Sequence, residues 1–208
     1  QVSREMKQAE LTLARNKGLD PKMIIVALDG IAVIVHPSNP VSELTVDQLA
    51  DLYTGKITNW SQLGGRDAEV VLLSREVNSG THVYFKEHVL RHGRAESKEE
   101  FIPEALLLPS SQAIADEAAQ NPDAIGYYGM GYVSPQVKAL KVAAAPGSAA
   151  VAPTLESVHS NAYPIARPLI MYTKGEPRDL AKDFLDYVHS PEGQDVVKRL
   201  DFVPALKL

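Results

Sequence analysis

The chain has 208 residues, 45% of them hydrophobic, so it is long enough to bury a substantial core in one or two lobes. Its 26 acidic and 21 basic residues include no long Lys/Arg run, which argues against nucleic acid as a partner. The absence of Cys excludes disulfides and Cys-ligated metals but leaves the compartment open. No apolar stretch is long enough to span a bilayer, and the first residues lack a signal-peptide pattern.

The first part of the chain alternates between helical and strand patterns. Apolar residues at helical spacing with polar caps predict helices, and short continuous apolar runs predict buried strands. In chain order we expect a helix over 7–17, strands over 22–28 and 31–35, a helix that opens at a Thr45/Gln48 capping box and stops near Gly55, a strand over 69–74 and a helix over 81–92. The stretch 57–65 contains too many turn formers for regular structure.

The same alternation continues to the carboxyl terminus. We expect a helix over 111–120, a strand over 124–130, a strand from 139 that fades into a small-residue loop, a strand over 164–173, a helix over 177–188 with Leu180, Phe184 and Val188 on one face, and a last helix capped by Ser190 with Pro191 at its first position. This order predicts an α/β fold with mainly parallel sheets flanked by helices. Ligands in such folds bind beyond the carboxyl ends of strands.

One strand-to-helix junction has the composition of an anion site. Ser79, Gly80 and Thr81 follow the strand 69–74 at the start of the next helix, where free backbone N–H groups and the helix dipole favour an anion. Arg75 adds a planar guanidinium that suits two oxygens of a phosphate-like group. The alternative is that Ser79 only caps the helix and Arg75 is solvated. The pattern of a nucleotide P-loop is absent.

Asp29 and the Ser3–Arg4 pair are further candidate ligand positions, and each also has a purely structural interpretation. Asp29 precedes Gly30 between two apolar runs, a strong hairpin signal, so by itself Asp29 is interpreted as a turn residue. Its functional interpretation places it at the rim of a cleft. Ser3 and Arg4 would by themselves be a frayed, exposed terminus.

Taken together, these segments resemble a known family, the phosphate-binding solute receptors of ABC transporters, with the type II periplasmic binding protein fold. The segments that carry the resemblance follow the family order and cover essentially the whole chain: SREM, ALDGIAVIVHPSNPV, LADLYTGKITNWSQLGG, SREVNSGTHVYF, NPDAIGYYGMGYV, YPIARPL and FLDYVHSPEGQDVVKRLDFVP.

The resemblance implies a set of phosphate ligands and no catalytic residue, metal or cofactor. In the family, the Arg-x-x-x-Ser-Gly-Thr segment, the Ser-Arg pair and the Asp-Gly aspartate bind phosphate. Asp29 would accept a hydrogen bond from the protonated oxygen of phosphate and would repel sulfate, while Arg4 and Arg75 offset its charge. The implied ligands are Ser3, Arg4, Asp29, Arg75, Ser79, Gly80 and Thr81.

The resemblance also implies an architecture and a function. Lobe one would comprise 1–35 and 166–208, and lobe two 36–165, with crossovers at 33–37 and 162–169. Phosphate bound in the interlobe cleft would be delivered to ABC permease subunits, in a periplasmic or membrane-anchored extracytoplasmic location.

The chain departs from the family pattern at its start. Family members begin with a Gly- and Ser/Thr-rich strand-to-helix segment that supplies another ligand, whereas this chain starts at the Ser-Arg pair. The sequence therefore predicts an incomplete first lobe, whether by nature or by trimming. Exposed apolar faces on that lobe would favour self-association and weaken phosphate binding.

Two other functions remain as alternatives. In a phosphoryl-transfer enzyme, Ser79 and His82 could act as nucleophile and base, although at this point of the helix we expect His82 to face solvent. No carboxylate orienter or metal cluster is apparent, and His88 and His92 lack the intervening Glu of a zincin helix. A phosphate-sensing or adhesion module with this fold and no transport role is the second alternative.

Overall fold

The computed structural model describes residues 2, 5–200 and 202–205. In chain order its elements are α1 (Gln8–Asn16), β1 (Pro21–Val35), β2 (Glu43–Thr45), α2 (Val46–Tyr53), a 3-10 turn (Trp60–Leu63), β3 (Val71–Arg75), α3 (Gly80–Phe85), a π-helical turn (Lys86–Leu90), β4 (Leu106–Leu108), α4 (Ser111–Gln120), β5 (Ala124–Gly129), a 3-10 turn (Met130–Tyr132), β6 (Lys138–Ala139), β7 (Lys141–Ala143), α5 (Leu155–His159), β8 (Ala166–Lys174), α6 (Asp179–His189), α7 (Pro191–Arg199) and β9 (Val203–Pro204). The predicted α/β class is confirmed.

The chain divides into two compact units. Unit 1 comprises Gln1–Asp29 and Ala166–Leu208, and unit 2 comprises Gly30–Ile165. Within the described residues, no helix is both long enough and apolar enough to cross a bilayer.

Unit 2 is built on a mixed sheet in which β3 lies between two parallel neighbours. β3 pairs in parallel with β4 and β5, and the second half of β1 pairs antiparallel with β5 and β6. A parallel arrangement places the carboxyl end of β3, at Arg75, beside the end of β4, at Leu108. The loops that leave these two strands are therefore neighbours.

The core of unit 2 forms where α4 packs on this sheet. Ile114 and Ala118 of α4 are fully buried against Leu73 of β3 and Ile34 of β1. The helix is capped by Ser110, whose Oγ accepts from the backbone N–H of Ala113. The apolar face of α4 and the continuous apolar strands thus explain the packing directly.

The predicted hairpin at Asp29 and Gly30 is wrong, because β1 runs without interruption from Pro21 to Val35. A Cβ at Gly30 would lie 2.7 Å from both the Met130 Sδ and the Val158 Cγ2. Gly30 is therefore needed for close packing, and its φ angle lies outside the left-handed region that a hairpin turn of this kind requires.

Unit 1 surrounds the first half of β1, which pairs with β8 and β9. Val26 and Ala27 of β1 pack with Leu169 of β8 and Leu185 of α6. The Gln194 amide, fully buried on α7, donates to the carbonyl oxygens of Val26 and Val188 and so ties α7 to the strand.

The capping signals in the sequence are confirmed at two helices. Thr45 and Gln48 form a reciprocal capping box at the start of α2. Ser190 caps α7 through Gly193 N–H, with Pro191 at the first helical position. These interactions are local, so the sequence alone specifies them.

The first prediction concerns the packing of β5 against α4. A Cβ at Gly126 would lie 2.5 Å from the Ile114 Cγ2, a short branch that cannot swing away. We expect Gly126→Ala to destabilise the protein by about 1–3 kcal/mol, measured by chemical denaturation. The double variant with Ile114→Ala should cost less than the sum of the two single changes, since the truncated side chain removes the clash. Simple additivity would contradict the packing described here.

Candidate functional site: a strand-to-helix anion junction

The candidate anion site lies at the junction of β3 and α3. β3 ends at Arg75, a turn closes through the Ser79 N–H to the Glu76 carbonyl oxygen (2.9 Å), and α3 begins at Gly80. The Ser79 Oγ accepts from the backbone N–H of Thr81 at 3.2 Å, so the predicted cap is confirmed. The helix continues through the π-helical turn to Leu90. Gly80 is exposed and Ser79 and Thr81 are half-buried, so the junction faces outward from unit 2.

The Arg75 guanidinium lies against the start of a second helix. It donates from Nη1 to the Ser111 Oγ at 3.2 Å and from Nη2 to the Pro109 carbonyl oxygen at 3.3 Å. Its Nε is buried and has no hydrogen-bond partner among the described residues. Arg75 is therefore not simply solvated, as the alternative interpretation had it.

Ser111 is a neighbour of Arg75 that the sequence analysis missed. It occupies the first position of α4, and the parallel pairing of β3 and β4 brings that helix start beside Arg75. The Ser110/Ser111 pair before an apolar helical pattern was a visible capping signal. Its proximity to Arg75 depends on strand pairing across more than thirty residues of chain and could not be derived locally.

Behind the junction, His82 is buried, and the expectation that it faces solvent is wrong. Its side chain stacks on Phe101 with ring centroids 4.4 Å apart, and its Nδ1 lies 3.1 Å from the Ser74 Oγ. Burial, helped by Lys86, lowers the pKa of His82 below its ordinary value, which keeps the ring neutral at neutral pH.

This arrangement gives no support to the catalytic alternative. The Ser79 Oγ accepts a hydrogen bond from the Thr81 N–H, and the Nδ1 of His82 is hydrogen-bonded to the Ser74 hydroxyl. A nucleophile and its base need a mutual hydrogen bond, whereas the side-chain hydrogen bonds of Ser79 and His82 in the described structure go to Thr81 and Ser74. The two residues thus act in different hydrogen bonds.

In unit 1, Asp29 forms a buried ion pair that the sequence analysis also missed. The Asp29 Oδ2 accepts from the Arg167 Nε at 3.0 Å and from the Arg167 Nη2 at 2.8 Å. The two residues are 5% and 8% exposed. Burial raises the pKa of Asp29, and the guanidinium of Arg167 opposes that rise.

Arg167 is thus the guanidinium that offsets the charge of Asp29 in the described structure. The family resemblance implies that role for Arg4 and Arg75. The segment YPIARPL was recognised as a crossover, but the partner of its arginine depends on the pairing of β8 with β1. Ser3 and Arg4 lie outside the described residues.

A separate cavity at the amino end of β3 has two acidic residues in its lining, in contrast to the arginine at the carboxyl end of the strand. It measures about 580 Å³ and is lined mostly by apolar side chains, together with Thr58, Glu69 and Glu104. Two carboxylates disfavour an anion, so the cavity is a poor alternative to the Arg75 junction for phosphate. The carboxyl and amino ends of the same strand therefore differ in charge.

The chain is similar to known proteins in both sequence and structure. A family model described as a PBP superfamily domain matches residues 1–192. The phosphate-binding protein PstS of Bacillus subtilis is 32% identical over 205 residues, covering 96% of this chain and 64% of that protein. PstS of Pseudomonas aeruginosa PAO1 is 32% identical, covering 98% and 66%. The chain thus spans just under two thirds of the length of these curated relatives.

Solved structures show the same fold. A putative phosphate ABC transporter substrate-binding protein from Clostridium perfringens, with bound phosphate, is 38% identical with a TM-score of 0.75, covering 99% of this chain and 78% of that one. An ABC-type phosphate transport receptor from Vibrio cholerae is 27% identical with a TM-score of 0.81, covering 97% and 78%.

The second prediction concerns the buried ion pair. Arg167→Met leaves the Asp29 carboxylate buried without its partner, and we expect a loss of about 3–5 kcal/mol at neutral pH, measured by chemical denaturation. Arg66→Met is the matched control, because the Arg66 pair with Asp123 is largely exposed and should contribute less than about 1 kcal/mol.

The loss should depend on pH with a defined sign. Without Arg167, the folded-state pKa of Asp29 rises further above its unfolded value. In the folded variant the protonated form of Asp29 is then favoured. The loss of unfolding free energy therefore grows as pH rises through the folded-state pKa of Asp29, and it shrinks at acid pH. Adding Asp29→Asn to Arg167→Met removes the buried charge and should recover part of the loss. An equal loss at acid and neutral pH would contradict this assignment.

Proposed function

The chain belongs to the PBP superfamily, and on that premise we propose that it binds inorganic phosphate for delivery to ABC transporter permease subunits. The observation that carries the proposal is the junction of Arg75 with the start of α3 at Ser79, Gly80 and Thr81. It combines an arginine, a helix N-terminus and outward exposure in one place on unit 2. The names of the relatives in B. subtilis and C. perfringens support phosphate as the anion.

The chemistry of the junction suits an oxyanion. The buried, unpaired Nε of Arg75 is a donor whose desolvation is uncompensated among the described residues, and an oxygen of phosphate would satisfy it. Hydrogen bonds to a charged group contribute about 1.5–3 kcal/mol each. A few such hydrogen bonds are sufficient for micromolar affinity or better, after subtraction of the entropic cost of ordering the ligand and the side chains that bind it.

Asp29 is proposed to select among oxyanions. A carboxylate accepts a hydrogen bond from monohydrogen or dihydrogen phosphate, whereas sulfate carries no proton at neutral pH and would be repelled. Arg167 holds Oδ2 of Asp29 through two hydrogen bonds and so fixes the orientation of the carboxylate. Ser3 and Arg4, the ligands that the resemblance adds, are retained as proposals.

The remaining expectations follow from the same premise. We propose that the two units are the two lobes of such a receptor, and that the protein acts outside the cytoplasm.

On α6, Leu180 is 84% exposed and Phe184 is 52% exposed, although the sequence pattern places them on one face with Val188. Self-association of this chain stays a prediction, with that apolar face of α6 as its candidate surface.

The third prediction tests the anion site. Arg75→Ala should weaken phosphate binding by at least about tenfold in calorimetry, because it removes a charged donor from the site. Ser111→Ala is the control, since it deletes one existing partner of Arg75 and keeps the guanidinium. Its effect should be clearly smaller. Unchanged affinity in Arg75→Ala, with a native melting curve, would remove Arg75 from the site.

The fourth prediction tests the selectivity residue. Asp29→Asn should relax discrimination against sulfate, because an amide whose Oδ1 accepts from Arg167 presents its Nδ2 as a donor to a sulfate oxygen in place of the carboxylate oxygen that repels it. Competition calorimetry with phosphate and sulfate measures the ratio of the two affinities. Sulfate binding that stays undetectable, together with unaltered phosphate binding, would restrict Asp29 to a structural role in its ion pair.

A further inference from the structure

Three buried polar side chains lie beneath the anion junction, and the proposed function does not use them. Ser74 and Tyr127 are fully buried and His82 is 3% exposed. The Ser74 Oγ lies 2.7 Å from the Tyr127 hydroxyl and 3.1 Å from the His82 Nδ1. Breaking a hydrogen bond between buried polar groups leaves them unsatisfied, which is costly. These hydrogen bonds therefore hold their strands and helix in fixed positions.

The sequence positions of these residues matter as much as the distances. Ser74 immediately precedes Arg75, and His82 immediately follows Thr81. The Ser74–His82 contact therefore closes the loop that carries all four candidate ligands of unit 2. The Ser74 hydroxyl also donates to the Arg75 carbonyl oxygen at 3.2 Å, which adds a contact to the last residue of β3.

Aromatic packing fixes the orientation of the same groups. The imidazole of His82 stacks on Phe101 at an interplanar angle of 28°. Phe85, one turn further along α3, stacks on Tyr127 with centroids 3.8 Å apart and an angle of 8°. The imidazole is therefore held by stacking on one side and by a hydrogen bond at Nδ1, and α3 is held against β5.

Four titratable or charged residues surround His82 in the described structure. Lys86 follows it on the helix, Glu100 adjoins Phe101, Arg75 ends the neighbouring strand, and Tyr127 contributes its hydroxyl. Burial outweighs the opposing contributions, so the ring is neutral at neutral pH. His82 thus brings hydrogen bonding to the junction without adding a charge of its own.

From this geometry we infer that His82 is a positioning residue for phosphate. Through Ser74 it sets the distance between Arg75 at the end of β3 and the N–H groups at the start of α3. Phosphate then binds donors that are already ordered, which lowers the ordering cost of binding. The inference rests on the proposed function and adds to it the residue that holds the site in shape.

The test is calorimetry of the full chain with inorganic phosphate. His82→Phe keeps a flat ring against Phe101 and loses the hydrogen bond, while Ser74→Ala deletes only the hydroxyl. Each should weaken phosphate binding by roughly tenfold, the equivalent of one ordinary hydrogen bond. The double variant should be no weaker than the weaker single variant, because both changes break the same contact.

Two further variants separate positioning from general stability. His82→Asn places a polar atom near the position of Nδ1 and should bring affinity back to within about threefold of the unaltered chain. His88→Phe is the matched control: His88 also stacks on a ring, that of Tyr84, but it is exposed and belongs to the π-helical turn that follows α3. It should bind phosphate like the unaltered chain.

The stoichiometry distinguishes the outcomes. Irreversibly misfolded protein would show fewer binding sites per chain at unchanged affinity, whereas a folded chain with a misplaced site shows full stoichiometry at lower affinity. Reversible unfolding also lowers the apparent affinity, so chemical denaturation first establishes that each variant is fully folded at the temperature of the titration. Affinity of His82→Phe and Ser74→Ala equal to that of His88→Phe would overturn the inference and leave the proposed function intact. If His82→Phe fails to fold, Ser74→Ala decides alone, since it removes the hydroxyl that His82 contacts. Absence of phosphate binding by the unaltered chain would refute the proposed function itself.

Discussion

The carboxyl end of β3 is the constraint on which the candidate site depends. β3 ends at Arg75, and the chain turns over residues 76–79 into α3, whose first residue, Gly80, is exposed. The turn is held from behind by hydrogen bonds of Ser74 with Tyr127 and His82, in a region closed by stacked rings. Because an oxyanion needs donors at fixed separations, rigidity behind the loop matters as much as the ligands in front of it.

The two units differ in whether a charged side chain of the candidate site is paired. In unit 2, the buried Nε of Arg75 has no partner within the described part of the chain, and the guanidinium makes two long hydrogen bonds to neutral oxygens, so these contacts do not neutralise its positive charge. In unit 1, the Asp29 carboxylate is paired with Arg167 at 2.8–3.0 Å while largely excluded from water. One unit therefore retains a positive charge suited to an anion. The other holds a negative charge whose cost is reduced by a partner.

Family membership and geometry contribute different parts of the functional argument. The PBP superfamily match covers residues 1–192 and establishes the fold, and relatives named as phosphate-binding proteins make phosphate the natural candidate. The match cannot say how Arg75 is held or what supports the helix start. Those features come from Ser111, Ser74, His82 and Tyr127, which no local motif marks as functional.

The sequence by itself determined the α/β class, the caps at Thr45, Ser79 and Ser190, and the strand-to-helix placement of Arg75 and Gly80. All of these depend on hydrogen bonds or periodicities within a few residues, so local pattern suffices. Only the tertiary structure decided that β1 continues through Gly30, that His82 turns inward to Ser74, and that Asp29 pairs with Arg167. Each of these is set by contacts between segments distant in sequence. Gly30 is required by Met130 and Val158, and the partner of Asp29 by the pairing of β8 with β1. A glycine needed for space and a glycine needed for a turn look identical in sequence, and only the packed neighbours distinguish them.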